Sequence, residues 1–303
     1  MFGPLIASYM FLGGAAAGTS FTGSLLTIFV PAWRSTGPHG RLSPTRSYAR
    51  LFGGMFGSSL VVLAFGCTCL VADLGQPLRA INLFLHPTLS YISVGAFAIL
   101  ALMAEDLVLG ALWNGMLHRL PLGRGFAHAV ALLAMLTSTV VMVYTGMYLA
   151  QAKAVALWAL GPVVPVLFLA SSGTTGLALT LLSACLSGAA VSFQTLMRRL
   201  VRAGIGFAIA ELVLFVTMLA LAARAGGMPS THEILAGRLA PAFWLSLVLV
   251  GLLIPLVVEL LHARSSSTGI MMATSLLVLV GGLALRICVV GAGLNPLVMR
   301  VAS

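Results

Sequence analysis

Charge is what this chain has least of: 7% of its 303 residues are charged, while 60% are apolar. Soluble domains carry about 25% charged residues, and a water-soluble core cannot absorb so much apolar surface. The composition therefore excludes a soluble globular protein and points to a polytopic membrane protein. Regular apolar–polar alternation is missing as well. Leu, Ala, Val, Gly and Met run on without it, which selects a helical bundle over an outer-membrane barrel. Cysteine is scarce: Cys67, Cys69, Cys185 and Cys288 all fall inside apolar stretches, and the Cys-Thr-Cys pair has no second pair to match it. That pattern speaks against a zinc or iron–sulfur centre and for small apolar fillers. No pair of residues stands at a credible haem-ligand spacing. The opening MFGPLIASYMFLGG lacks a basic stretch and runs straight into a full apolar span, so it reads as a retained helix and not a cleaved signal.

What is present is a series of eight apolar stretches, at about 5–30, 51–73, 89–113, 126–150, 163–186, 203–224, 240–261 and 269–292. About 20 helical residues cross the hydrocarbon layer, so each is long enough alone. The connections between them alternate in charge. Segments 31–50, 114–125, 187–202 and 262–268 carry ten arginines; the opposite connections and the termini carry five basic residues. By the positive-inside rule the ten-arginine side is cytoplasmic, and both termini are expected outside. The net charge of +10 is thus a topology signal with some attraction to membrane lipid, and it does not indicate nucleic acid.

A faint internal repeat joins MFLGGAAAG in the first stretch to LFLASSGTTG in the fifth, with Phe11 and Phe168 157 residues apart. Glu105 and Glu259 hold matching places in the third and seventh stretches. Four spans per unit is an even number, so the expected fold is all-α with eight transmembrane helices in two parallel four-helix bundles, residues 1–150 and 151–303.

Of the six acids only Glu233 stands in an evident loop. Ionisable groups within spans are costly and mark a pathway or binding site by default. At the outer level are Tyr9, Asp73, Arg79, His86, Tyr144 and Arg286, which could converge on one pocket. Toward the cytoplasmic side lie Glu105, Asp106, His128 and Glu259, with Glu211 deeper in the sixth span. Asp73 and Arg79 flank a Gly-Gln-Pro turn in VADLGQPLRAINLF. They serve either as a pin for that turn or as a ligand-holding pair, and a turn so held would also fix the carboxylate for a ligand.

The stretches YMFLGGAAAG (9–18), ADLGQPLRAINLFLHPTLSYISVGAF (72–97) and VYTGMYLAQAKAVALWALGPVVPVLFLASSGTTG (143–176) resemble the NrfD/PsrC family. So do FWLSLVLVGLLIPLVVEL (243–260) and LVGGLALRICVVGAG (279–293). These are the integral-membrane subunits of polysulfide-reductase-like complexes. The resemblance implies a haem-free, quinone-reactive anchor in the cytoplasmic membrane, with menaquinone or ubiquinone as substrate near the outer face. It also implies an extracytoplasmic four-cluster iron–sulfur partner, joined to a molybdopterin catalytic subunit. Asp73, Arg79, Tyr144 and Arg286 match the family's polar residues, and Tyr9 matches the aromatic that opens the first span. Some members carry a histidine in that span; this chain has none, which leaves His86, Asp73 or Tyr144 as proton acceptor. Chemistry agrees: a quinol must shed protons to titratable groups, and electrons here must pass directly to a partner. Two further expectations are a proton path through Glu105, Asp106, His128, Glu211 and Glu259, and, as the rival class, a secondary transporter of a small solute.

Overall fold

The computed structural model describes residues 4–29, 46–73, 90–117, 124–153, 155–261 and 267–293. Among them there is no strand. Helices α1 (Pro4–Phe29), α2 (Arg46–Asp73), α3 (Tyr91–Trp113), α4 (Arg124–Ala150), α5 (Val163–Leu186) and α6 (Gln194–Arg224) are followed by the short α7 (Met228–Leu235). A π-helical run, Ala242–Leu253, then continues into α8 (Ile254–Leu261), and α9 (Thr268–Gly293) ends the described fold. Among the described residues, eight helical segments are long and apolar enough to cross a membrane.

Two of them reach further than their apolar stretches. Helix α2 begins at Arg46 and α6 at Gln194, five and nine residues before those stretches start. Hydropathy marks the hydrocarbon crossing, whereas arginine is a good helix former whose stem can lie on apolar surface with its head in water. The helices therefore continue through Arg46 and Arg50, and through Arg198, Arg199 and Arg202. At the other ends, Gly115 and Gly188 adopt φ of 72° and 71°, a left-handed conformation that ends α3 and α5 without a Cβ penalty.

In lipid, helices gain little from burying apolar area against each other, so close packing of small residues holds them together. The centre of the molecule shows this. Helices α1 and α5 cross at Gly18 and Gly176, where a Cβ on Gly18 would lie 2.8 Å from the Gly176 Cα. Thr19 Oγ1–H donates to Gly176 O at 3.0 Å across a separation of 157 residues. That is the offset of the sequence repeat, so its two copies meet face to face. The same economy recurs between Gly251 and Gly281, where a Cβ on Gly281 would lie 2.5 Å from the Gly251 Cα. Pro255, just beyond the π-helical run, has no N–H for the Gly251 carbonyl and crowds it, a physical reason for the widened turns before it.

Around α1 pack α2, α4, α5 and α9, with α3 bridging α2 and α4. Along α2 the residues Phe52, Ser59, Gly66 and Asp73 recur every seven positions. This stripe faces α1: Ser59 Oγ–H donates to Ala16 O at 2.9 Å, and a Cβ on Gly66 would touch Leu12 and Tyr9. Trp113 stacks on Phe52 with ring centres 3.9 Å apart and donates Nε1–H to Thr27 Oγ1 at 3.2 Å. In the segment between α4 and α5, Trp158 donates Nε1–H to Val289 O at 2.9 Å, tying that connection to α9.

Candidate functional site

The polar residues of the interior fall into three groups. The first lies near the ends of α1 and α4 away from the arginine-rich connections. Tyr9 is five residues into α1 and Tyr144 six residues from the end of α4, both about 8–9 Å inside at the helical rise. Helices α1 and α4 are packed neighbours. Tyr9 is 6% exposed and Tyr144 8%. Tyr9 lies against the Gly66 notch, and the Tyr144 ring fills the space left by Gly95, where a Cβ would sit 2.8 Å from its Cζ. Among the described residues neither phenol has a hydrogen-bond partner. Asp73 closes α2 half-buried, two turns beyond Gly66 on the same stripe. Arg79 and His86 lie outside the described residues, and with them the Asp73–Arg79 turn.

The second group is centred on Arg286 of α9, 1% exposed. Its guanidinium carbon is 3.8 Å from the Phe168 ring centre. Its Nη2–H donates to Ser172 Oγ at 3.1 Å and to Phe168 O at 3.4 Å. Nε and Nη1 are buried without a partner. Glu211 of α6, 3% exposed, faces Thr174 and Ser171 of α5 and lies within the field of Arg286. A buried cation and anion on α9 and α6 are thus set against the hydroxyl-rich face of α5. Gly14 leaves the room: a Cβ there would lie 2.6 Å from Ser172 Oγ and 3.1 Å from Arg286 Nη2. No hydrogen bond joins Arg286 to Tyr9, Tyr144 or Asp73 among the described residues. Of the residues singled out from the sequence, Tyr9 lies against α2 at Gly66, whereas the Arg286 guanidinium lies beside Gly14 between α1 and α5.

The third group surrounds the consecutive acids of α3, which point in different directions. Asp106 turns inward and is 1% exposed. It accepts from Ser20 Oγ–H at 2.5 Å on Oδ1 and from Ser59 Oγ–H at 2.6 Å on Oδ2. Glu105 turns to α4, where Thr137 Oγ1–H donates to its Oε1 at 3.1 Å. His128 is half-buried near the start of α4, and Glu259 half-buried near the end of α8. No hydrogen bond connects Glu105, Asp106, His128, Glu211 and Glu259 to one another among the described residues. Nor do three or more His, Cys, Asp or Glu side chains gather there in a group that could hold a metal ion.

Sequence reasoning found the acids and Arg286 but not the neutral groups that hold them: Ser20, Ser59, Thr137, Ser172 and Phe168. One signal was available. Ser59 shares the seven-residue stripe of α2 with Gly66 and Asp73, a small or polar line in an apolar helix that marks the face turned to its neighbours.

Eight apolar helices enclosing buried ionisable groups define a polytopic integral-membrane protein with polar centres inside its bundle. The family model described as Polysulphide reductase, NrfD matches residues 1–297. The chain belongs to that family, which suggests a membrane subunit of polysulfide-reductase-like complexes. No curated protein matches it.

Proposed function

We propose that this chain is the quinone-reactive membrane subunit of an extracytoplasmic oxidoreductase complex. In this reading menaquinol or ubiquinol is oxidised, or the quinone reduced, near the face opposite the arginine-rich connections. Electrons are exchanged with a four-cluster iron–sulfur subunit docked there, itself joined to a molybdopterin catalytic subunit. The eight spans form two parallel four-helix bundles, residues 1–150 and 151–303, in the cytoplasmic membrane with both termini outside. The arginine asymmetry supports the orientation, and the Thr19–Gly176 contact at the repeat offset supports the two bundles.

The observation that carries the quinone assignment is the pair of tyrosines at one depth on neighbouring helices, largely buried and with no hydrogen bond from their hydroxyls among the described residues. Tyr presents an apolar ring with a polar tip that seeks a partner. A quinone headgroup, apolar in its ring with oxygens at opposite ends, fits that demand. Tyr9 and Tyr144 would each hold an oxygen, and Asp73, at the edge of the same α2 face, would take the proton released on oxidation. Arg79 and His86 belong to the connection that follows Asp73 in sequence, and they complete the proposed set.

The test is binding of a quinol analogue to membranes carrying the complex, followed by fluorescence quenching. Tyr9→Phe and Tyr144→Phe should each weaken binding several-fold, since one such hydrogen bond contributes about 1 kcal/mol. Asp73→Asn should leave binding near wild type and abolish quinol-linked electron transfer in an assembled complex. Unchanged binding in both phenylalanine variants would sink the assignment. So would substrate uptake into vesicles by the chain alone, the behaviour of a transporter.

A further inference from the structure

A cavity lies away from the phenols, toward the arginine-rich ends of the helices. A cavity of about 120 Å³ opens between α5, α6, α8 and α9. Its walls are apolar, with Leu177, Ile205, Ile209 and Leu256 among them, and Gly204 widens it by having no side chain. Its position reflects a break in the internal repeat. In the first half α2 packs closely on α3; in the second half α6 and the π-helical run with α8 do not pack in the same way. They meet toward the opposite end, where Phe215 stacks on Phe243 with ring centres 5.5 Å apart. Toward the arginine-rich face they part.

The charges at this cleft are specific. Glu259 lines it, two residues before the end of α8, and has no hydrogen bond or ion pair among the described residues. Ser275 also lines it, and its Oγ is buried without a partner. On α6 the lining residues Ile205, Ile209 and Leu212 continue, at helical spacing, a stripe that begins with Arg198 and Arg202. Both arginines are exposed and lie on the α6 face that continues from the cleft toward its arginine-rich end, opposite a wall that carries an acid.

Each simpler occupant leaves a charge unanswered. An uncharged apolar molecule makes no use of Glu259 or of the two arginines. A purely anionic headgroup suits the arginines but meets the carboxylate. A headgroup carrying a phosphate and an ammonium on one short linker answers both. We propose that this cleft is a structural lipid site for one phosphatidylethanolamine. Its phosphate lies on Arg198 and Arg202, its ammonium on Glu259, and an acyl chain runs between α6 and α8. The proposal is independent of the quinone reading, since it uses none of the same residues and its test measures no turnover.

The experiment uses the complex as purified from its membrane, placed in nanodiscs of mixed phosphatidylethanolamine and phosphatidylglycerol. Each lipid is supplied in turn with a photoreactive group midway along one acyl chain. Labelling of the α6 segment 201–212 should favour phosphatidylethanolamine over phosphatidylglycerol about fivefold, the upper range of one solvent-accessible charge contact. Glu259→Gln should erase that preference, and the double variant Arg198→Gln/Arg202→Gln should lower labelling by both lipids. Ala208→Trp, which fills the cleft without touching a charge, should abolish labelling while the melting temperature is held. Equal labelling by the two lipids in the wild type would overturn the ethanolamine assignment. Labelling unchanged by Ala208→Trp would mean ordinary boundary lipid, and displacement of the label by a quinol analogue would mean a quinone site instead; either refutes the proposal.

Discussion

The guanidinium of Arg286 rests on the face of Phe168, its carbon 3.8 Å from the ring centre, while Nη2–H donates to Ser172 Oγ at 3.1 Å. A full charge is thus held inside the bundle by a ring quadrupole, a hydroxyl and a backbone carbonyl, with Glu211 as the opposite charge nearby. Removing one component of such a set exposes the cost of the charge that remains. Phe168→Leu should lower stability by about 0.5–2 kcal/mol, the range of a desolvated cation–π contact, while Phe168→Tyr keeps it. Thermal unfolding of the detergent-solubilised chain measures both.

Glu211 gives the complementary prediction. Glu211→Leu removes the anion in whose field Arg286 is buried; because no direct contact joins the two among the described residues, it should cost less than the about 3–5 kcal/mol of a broken contacting pair. The double variant Glu211→Leu/Arg286→Met, which removes both charges, should recover most of that loss. A double variant as unstable as the single one would show that the two charges do not interact.

Adjacent glycines in α1 should behave oppositely. A Cβ on Gly13 meets nothing within 4 Å, whereas one on Gly14 meets Ser172 Oγ at 2.6 Å and Arg286 Nη2 at 3.1 Å. Gly13→Ala should therefore be neutral or stabilising by up to about 1 kcal/mol from helix propensity. Gly14→Ala should destabilise by about 1–3 kcal/mol through overpacking. Melting temperatures of the two variants, compared under the same conditions, decide it.

Asp106 is positioned to distinguish shape from hydrogen bonding. Asp106→Asn keeps an acceptor for Ser20 or Ser59 and should be folded. Asp106→Leu takes the acceptor from Ser20 Oγ–H and leaves Ser59 with Ala16 O alone, and it should cost about 1–3 kcal/mol. The expression level of folded protein and its melting temperature report the difference.

Gly95→Ala links packing to the proposed function. The added methyl would collide with the Tyr144 ring, moving its hydroxyl without removing it. Quinol-analogue binding should weaken at least as much as in Tyr144→Phe, with little effect on the far side of the bundle. Binding at wild-type strength would show that the Tyr144 position is irrelevant to the ligand.

Much of this protein was legible in its residues one at a time. Eight apolar stretches of sufficient length, almost free of charge, can do little but form membrane-crossing helices, because a backbone in hydrocarbon must satisfy its own hydrogen bonds. The rarity of charge also made Asp106, Glu211 and Arg286 conspicuous, since a charge in lipid demands a reason. What each one faces was not legible. Glu105 and Asp106 are adjacent in sequence, yet a helix turns about 100° per residue, so one reaches Thr137 of α4 and the other Ser20 and Ser59 of α1 and α2. Tyr9 and Arg286 look alike when sorted by depth, but depth is only one coordinate. Tyr9 and Arg286 lie on different sides of α1, because Gly66 admits α2 on one side while Gly14 and Gly18 admit α5 and α9 on the other. Sequence by itself determined the membrane-crossing stretches, their number and the rarity value of each charge, through length and transfer cost; the short α7 was not among them. Only tertiary structure decided the neighbours, because in a membrane helices come together where missing side chains let backbones approach, and those notches have meaning only in pairs.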